Sequence, residues 1–256
     1  MRLFAVGCSF TKYSWPTYAD IVGRSVPHFE NWGISGVGNR AIFERIIELD
    51  IKNSLTADDV VVVQWSGIHR WDVHLPAYKG WQGKGAIFTG TEHDSNYNSE
   101  WIQEFWDERS YIMHTCHFVL AAKAYLESKG CHWVFTSLNN ILDDVNRYGE
   151  LDNYLTALKK IEWLPAMNEW LEQGNYQKAQ FFSQTNRYGV MGSVFRTEFF
   201  DQHPTPIAHY DYAEQYLKPL LGIELDRQFA EQAEEIVAST DEFEKLGKKF
   251  RMNLKW

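Results

Sequence analysis

Two hydrophobic patterns recur along this chain: short unbroken apolar runs, and longer stretches in which apolar residues return every three or four positions. The unbroken runs are Leu3-Phe4-Ala5-Val6 and Val60-Val61-Val62-Val63 after Asp58-Asp59, and Cys131 to Ser137, with Trp133-Val134-Phe135 at its centre, is similar. Runs of this length, bounded by charged or turn residues, predict strands buried on both faces, as in a parallel sheet. His28 to Trp32 predicts a shorter strand. Ala41, Ile42, Ile46, Ile47 and Leu49 put an apolar face on a helix over residues 39–51, with Arg40, Glu44, Arg45 and Glu48 off that face. Further helices are predicted over residues 15–22, with Pro16 in the first turn, and over 103–129, 151–172, 208–217 and 226–236. Strands alternating with helices predict βαβ units, hence an α/β protein whose parallel strands end on one edge.

Two stretches fit neither pattern. Residues 66–100 carry Gly67, Gly80, Gly83, Gly85 and Gly90 among Trp71, Tyr78, Trp81, Phe88 and Tyr97, without sustained period. A loop this long is usually functional, and it leaves the strongest strand. It reads either as the rim of a site, contributing to substrate choice, or as a surface hairpin or oligomer contact. Residues 138–200 are a second insertion, with a mixed loop over 183–200. The organisation expected is a domain over 1–222 with these two insertions, followed by a helical extension over 223–256. The amphipathic spacing of that extension suits packing on the domain or on another subunit.

Composition narrows the function classes. The chain has 256 residues, 45% of them hydrophobic, enough for a sizeable core. Its net charge of -9, with both signs interspersed, argues against nucleic acid as a partner, which needs a basic stripe. No apolar run approaches membrane length, so a soluble protein without a membrane partner is expected. Ala5-Val6-Gly7-Cys8 has the look of a lipoprotein cleavage box, but too few residues precede it for a signal peptide. Synthesis in a cytoplasm is the expectation. Cys8, Cys116 and Cys131 form no disulfide framework and suggest a reducing compartment. The 11 Trp, 13 Tyr and 16 Phe suit a core or an interface, and also stacking on sugar rings.

Candidate chemistry lies near the two ends. Gly7 closes the first strand and lets the backbone turn, so that Ser9 is presented at the strand's carboxyl edge as a candidate nucleophile. Asp201-Gln202-His203-Pro204 precedes a helix and offers a general base with an aspartate to orient it. Cys8 reads as a small core residue and His209 as structural. His114, Cys116 and His117 have a spacing that could hold a metal, but a packed helix face is the better reading. No metal and no cofactor are expected. Lys248-Lys249 reads as a solvated helix face.

Gly7-Cys8-Ser9, then Asn31-Trp32-Gly33-Ile34-Ser35-Gly36-Val37-Gly38-Asn39, then Asp201-Gln202-His203-Pro204 together resemble the first, second and last blocks of the SGNH (GDSL-like) hydrolase family, over about residues 1–221. The resemblance implies a three-layer α/β/α fold with a flavodoxin-like parallel sheet of about five strands. It implies ester hydrolysis by Ser9, His203 and Asp201, and an oxyanion hole built on the N–H groups of Ser9 and Gly36. Two features depart from the family. Where it shows Gly-x-Asn-Asp, this chain reads Gln64-Trp65-Ser66-Gly67, without the asparagine that supplies the third oxyanion donor. Ser66, Asn39, His69 and Arg70 are the candidates for that place. The aspartate also stands two residues before the histidine where the family has three. The motif wording is most similar to members met in tailed-phage genomes. That implies an O-acylated glycan as substrate, and a phage-encoded or virion-associated protein. A catalytically weak glycan-binding or structural module and an acyltransferase are the alternatives, and a homo-oligomer through the aromatic loop or the C-terminal helices is left open.

Overall fold

The computed structural model of the protein describes residues 1–75, 80–86, 100, 104–174, 176, 179–185 and 195–254. In chain order the strands are β1 (Arg2–Val6), β2 (His28–Asn31), β3 (Asp59–Trp65), β4 (Arg70–Leu75), β5 (Gly80–Ala86), β6 (His132–Ser137), β7 (Gln180–Thr185) and β8 (Phe195–Phe200). The α-helices are α1 (Tyr18–Gly23), α2 (Asn39–Asn53), α3 (Glu108–Lys129), α4 (Ile141–Asn146), α5 (Asp152–Leu158), α6 (Met167–Gly174), α7 (Pro206–Tyr212), α8 (Lys218–Leu221), α9 (Arg227–Ala238) and α10 (Leu246–Asn253). Two compact units result, Met1–Thr11 with Val26–Trp170, and Lys12–Ser25 with Leu171–Trp256.

The first unit is an α/β structure around a parallel four-stranded sheet of order β2-β1-β3-β6. An isolated parallel bridge from Phe135 to Trp163 stands at the fifth position, beside β6, so the arrangement follows the 2-1-3-4-5 order of doubly wound flavodoxin-type sheets. All seven residues of β3 are buried, as its unbroken apolar run requires of a central strand. At the amino ends of β1 and β3 the Arg2 guanidinium grips Asp59 with two bonds of 2.7 and 2.6 Å, and Arg2 and Asp59 are themselves register partners. Within the same unit α2 packs on α3 and α3 on α5.

Several boundaries differ from the sequence reading. The long helix starts at Glu108, not near 103, because Asp107 caps it in extended conformation and accepts from Ser110 N; residue 103 lies outside the described residues. α1 starts at Tyr18, where Thr17 and Asp20 form a capping box. The single helix expected over 151–172 is two, α5 and α6. The intervening chain is extended at Trp163 and Leu164 before Pro165, a residue that disfavours helix in its predecessor. Within 66–100, β4 and β5 form an antiparallel hairpin, and 76–79 and 87–99, with Tyr78, Phe88 and Tyr97, lie outside the described residues. Within 183–200, β7 and β8 pair antiparallel, where a mixed loop was expected; residues 186–194 lie outside the described residues. Among the described residues no helix is long and apolar enough to cross a membrane.

In the second unit the C-terminal helices are part of a core. Ala233, Val237, Leu246 and Phe250 close around Trp15, and Phe229 and Ala230 around Ile21 and Tyr210. His209, on α7, is fully buried, with its ring 6.1 Å from that of Tyr18, which also meets the Tyr212 ring. Burial drives its imidazole down to about 3, whereas an unfolded chain takes up this proton below about pH 6.5. The folded state therefore loses stability as pH falls from about 6.5 toward 3, by up to about 1.4 kcal/mol per pH unit from this group. Urea midpoints measured at pH 7 and pH 5 should drop less in His209→Gln than in the native chain; equal drops would show that His209 is not the cause.

Candidate active site

Ser9 follows β1 in a turn that other parts of the first unit fasten down. A Cβ on Gly7 would lie 2.2 Å from Thr11 Oγ1 and 2.9 Å from the Gln64 carbonyl oxygen, so this approach to β3 demands glycine. Thr11 N donates to Cys8 O (3.0 Å) and Thr11 Oγ1 to Gln64 Oε1 (3.0 Å). The second block is tied to the same turn. Asn31 Nδ2 donates to Thr11 O (2.8 Å), and Ile34 N to Gly7 O (3.0 Å). Cys8 is buried, as expected of it, but Ser9 is only 4% exposed, more enclosed than a serine presented at an open edge. Gly36 has a φ of +83°, a backbone state that favours glycine.

The register of the sheet sets Ser9 and Ser66 on one edge. Val6 pairs with Val63, and each serine follows its member of that pair by three residues. Ser66 N donates to Asn39 Oδ1 (2.8 Å), and Asn39 Nδ2 donates to Ser66 O (3.1 Å) and Thr115 Oγ1 (3.0 Å). Both amide hydrogens of Asn39 are thus engaged with the protein, and the residue forms a clasp between α2, the end of β3 and α3. Ser66 Oγ is buried and has no hydrogen-bond partner among the described residues. Arg70 Nη1 donates to Val37 O (3.1 Å), and burial pushes the His69 imidazole down. Of the four candidates for the third donor, Ser66 is the one at the strand end with an unspent hydroxyl.

Asp201 and His203 come together in the second unit. Asp201 Oδ1 accepts from His203 N (2.8 Å) and lies 2.7 Å from His203 Nδ1. The two-residue spacing is sufficient because the carboxylate closes an Asx-type loop back onto its own histidine. Tyr13, which the sequence did not single out, donates from its hydroxyl to Asp201 Oδ2 (2.6 Å) and stacks on the His203 ring at 3.7 Å and 17°. Trp15 Nε1 donates to Pro204 O (2.8 Å) and fixes the following turn. Burial alone would raise the Asp201 carboxyl, but the bonds from His203 and Tyr13 outweigh it and hold the group below its ordinary value. Asp201 is therefore an ionised, nearly buried partner for an imidazole, the arrangement that orients a general base.

Elsewhere, His117 Nε2 meets Tyr154 Oη at 2.9 Å, and His114 lines a cavity.

No family model matches the sequence, and no curated protein matches it. Solved structures do resemble the fold. One is a member of the lipolytic protein G-D-S-L family from Veillonella parvula, 13% identical, covering 85% of this chain and 97% of its own, with a TM-score of 0.44. Another is a GDSL-like lipase from Bacteroides thetaiotaomicron, 17% identical, covering 86% of this chain and 87% of its own, with a TM-score of 0.43.

Proposed function

We propose that the protein is a serine ester hydrolase. Ser9 Oγ attacks the acyl carbon, His203 takes its proton and returns it to the leaving alcohol, and Asp201 holds the imidazole and stabilises its charged form. The observation that carries this reading is the Asp201–His203 pair, with its 2.7 Å contact and the carboxylate held low by His203 and Tyr13. Tyr13 follows Ser9 by four positions in the chain. The N–H groups of Ser9 and Gly36 and the hydroxyl of Ser66 are the proposed oxyanion donors, and one such donor is worth about 10²–10³ in rate. An O-acylated carbohydrate is the proposed substrate class, supported by the aromatic-rich sequence and by the motif resemblance.

The missing asparagine after β3, together with the engaged amide of Asn39, favours a second reading, a glycan-binding or structural module, including a virion component. A fluorophosphonate probe separates the two. One adduct per chain by intact mass, absent in Ser9→Ala and much slowed in His203→Ala, is the result expected of an activated serine. No adduct, and no nitrophenol released from acyl nitrophenyl esters, would leave the binding module as the better reading.

A further inference from the structure

A cavity of about 320 Å³ opens in the first unit, between the start of α2, β4 and α3. We propose that it is the acyl-chain site, selecting a medium-length acyl group such as hexanoyl or octanoyl; this rests on the ester-hydrolase reading above. The volume is at the small end for ligand pockets. Its walls are hydrocarbon and aromatic, from Ile68, Trp71, Tyr111 and Phe118, with the Trp71 and Tyr111 rings edge to face at 5.3 Å.

Polar side chains of the lining are engaged with the protein, and Arg70 donates from Nη1 to Val37 O (3.1 Å). Asn39 is bonded to Ser66 and Thr115 as described. The two Asp72 oxygens accept from Gly38 N (2.6 Å) and Ala41 N (3.0 Å), capping α2 from β4. A hydroxyl-rich ligand entering here would exchange water for surfaces that do not answer its hydrogen bonds, an unfavourable transfer. Hydrocarbon gains from the same move. Arg40 and His114 supply the exposed, polar part of the lining, so the cavity has an apolar interior and a wet mouth. Its position fits the chemistry as well. Asn39 lines the cavity and holds Ser66, at the sheet edge that Ser9 also leaves.

The test is a chain-length series of nitrophenyl esters with the native chain, His114→Trp at the mouth and Phe118→Trp in the wall. Each buried methylene favours the reaction about fourfold, so kcat/KM for hexanoate should exceed that for acetate by at least about tenfold, allowing for partial burial. That ratio should fall below about twofold in both variants, since a filled cavity has no room for the added methylenes. A flat series in the native chain, or a preference that survives both substitutions, overturns the assignment while leaving the hydrolase reading intact. Calorimetry of the Ser9→Ala protein with octanoate and with glucose fails or succeeds independently of turnover. Octanoate binding that both tryptophan variants abolish, with no heat from glucose, supports the cavity even if no ester is hydrolysed; absence of octanoate binding overturns it.

Discussion

Asp201→Asn should lower kcat for a nitrophenyl ester by up to about 10⁴-fold, the size this change has in hydrolases of the Ser-His-Asp type, while the protein stays folded. The asparagine keeps the shape of the loop and offers Oδ1 to His203 N, so the 2.8 Å backbone bond has a replacement. What it loses is the negative charge against Nδ1 and the fixed tautomer of the ring. Ser9→Ala sets the floor of the series, because residues acting as one unit cost nearly the same singly or together. Tyr13→Phe tests the same arrangement more gently. Removing the 2.6 Å hydroxyl bond takes away one of the interactions that hold the Asp201 carboxyl low, so the group needs a higher pH to remain ionised. The acid limb of the kcat profile should therefore move upward. An Asp201→Asn enzyme with native kcat, or a Tyr13→Phe profile superposing on the native one, would remove Asp201 from the mechanism.

Gly7→Ala should be the most destabilising single methyl on the turn that carries Ser9. The added carbon meets the backbone oxygen of Gln64 at 2.9 Å, on a strand buried along its whole length, besides Thr11 Oγ1 at 2.2 Å. Neither neighbour can swing away, because Thr11 Oγ1 is held by Gln64 Oε1, and overpacking of this kind costs about 1–3 kcal/mol or more. Gly36→Ala is the control. Its Cβ would meet nothing within 4 Å, so its cost is that of a positive φ alone, about 1 kcal/mol. Urea midpoints at constant m measure both. Equal shifts for the two variants would show that crowding against β3 is not what requires glycine at position 7.

The parts of this molecule that were legible in its sequence are those set by near neighbours. β1 and β3 hold continuous apolar runs, β6 centres on Trp133-Val134-Phe135, and Gly7 announces the turn before Ser9, so the parallel sheet and the edge at which Ser9 leaves it follow from a few residues read together. Asp201 and His203 are legible as a pair; how two residues of spacing suffice is not, because it depends on the carboxylate folding back on the histidine's own N–H. Tyr13 was not visible, because it meets Asp201 across 188 positions, and nothing local distinguishes it from the chain's other tyrosines. The clasp formed by Asn39 was hidden for the same reason: an amide after a glycine turn looks equally ready to meet substrate or backbone. The hairpin of β4 and β5 was one of two readings of its stretch, because glycines interrupt its alternation, and that of β7 and β8 was read as a mixed loop, because neither strand alternates cleanly.

The ion pair of Arg2 with Asp59 lies at the opposite end of β1 from Ser9, yet it bears on how accurately that serine is placed. Strand partners can exchange by whole residues, and one step of slippage translates a strand by about 3.3 Å and reverses its faces. A run of valines offers little to distinguish one step from the next. A two-pronged guanidinium contact at the first rung does. It acts as an index mark: with Arg2 opposite Asp59, Val6 falls opposite Val63, and the two serines leave the sheet side by side.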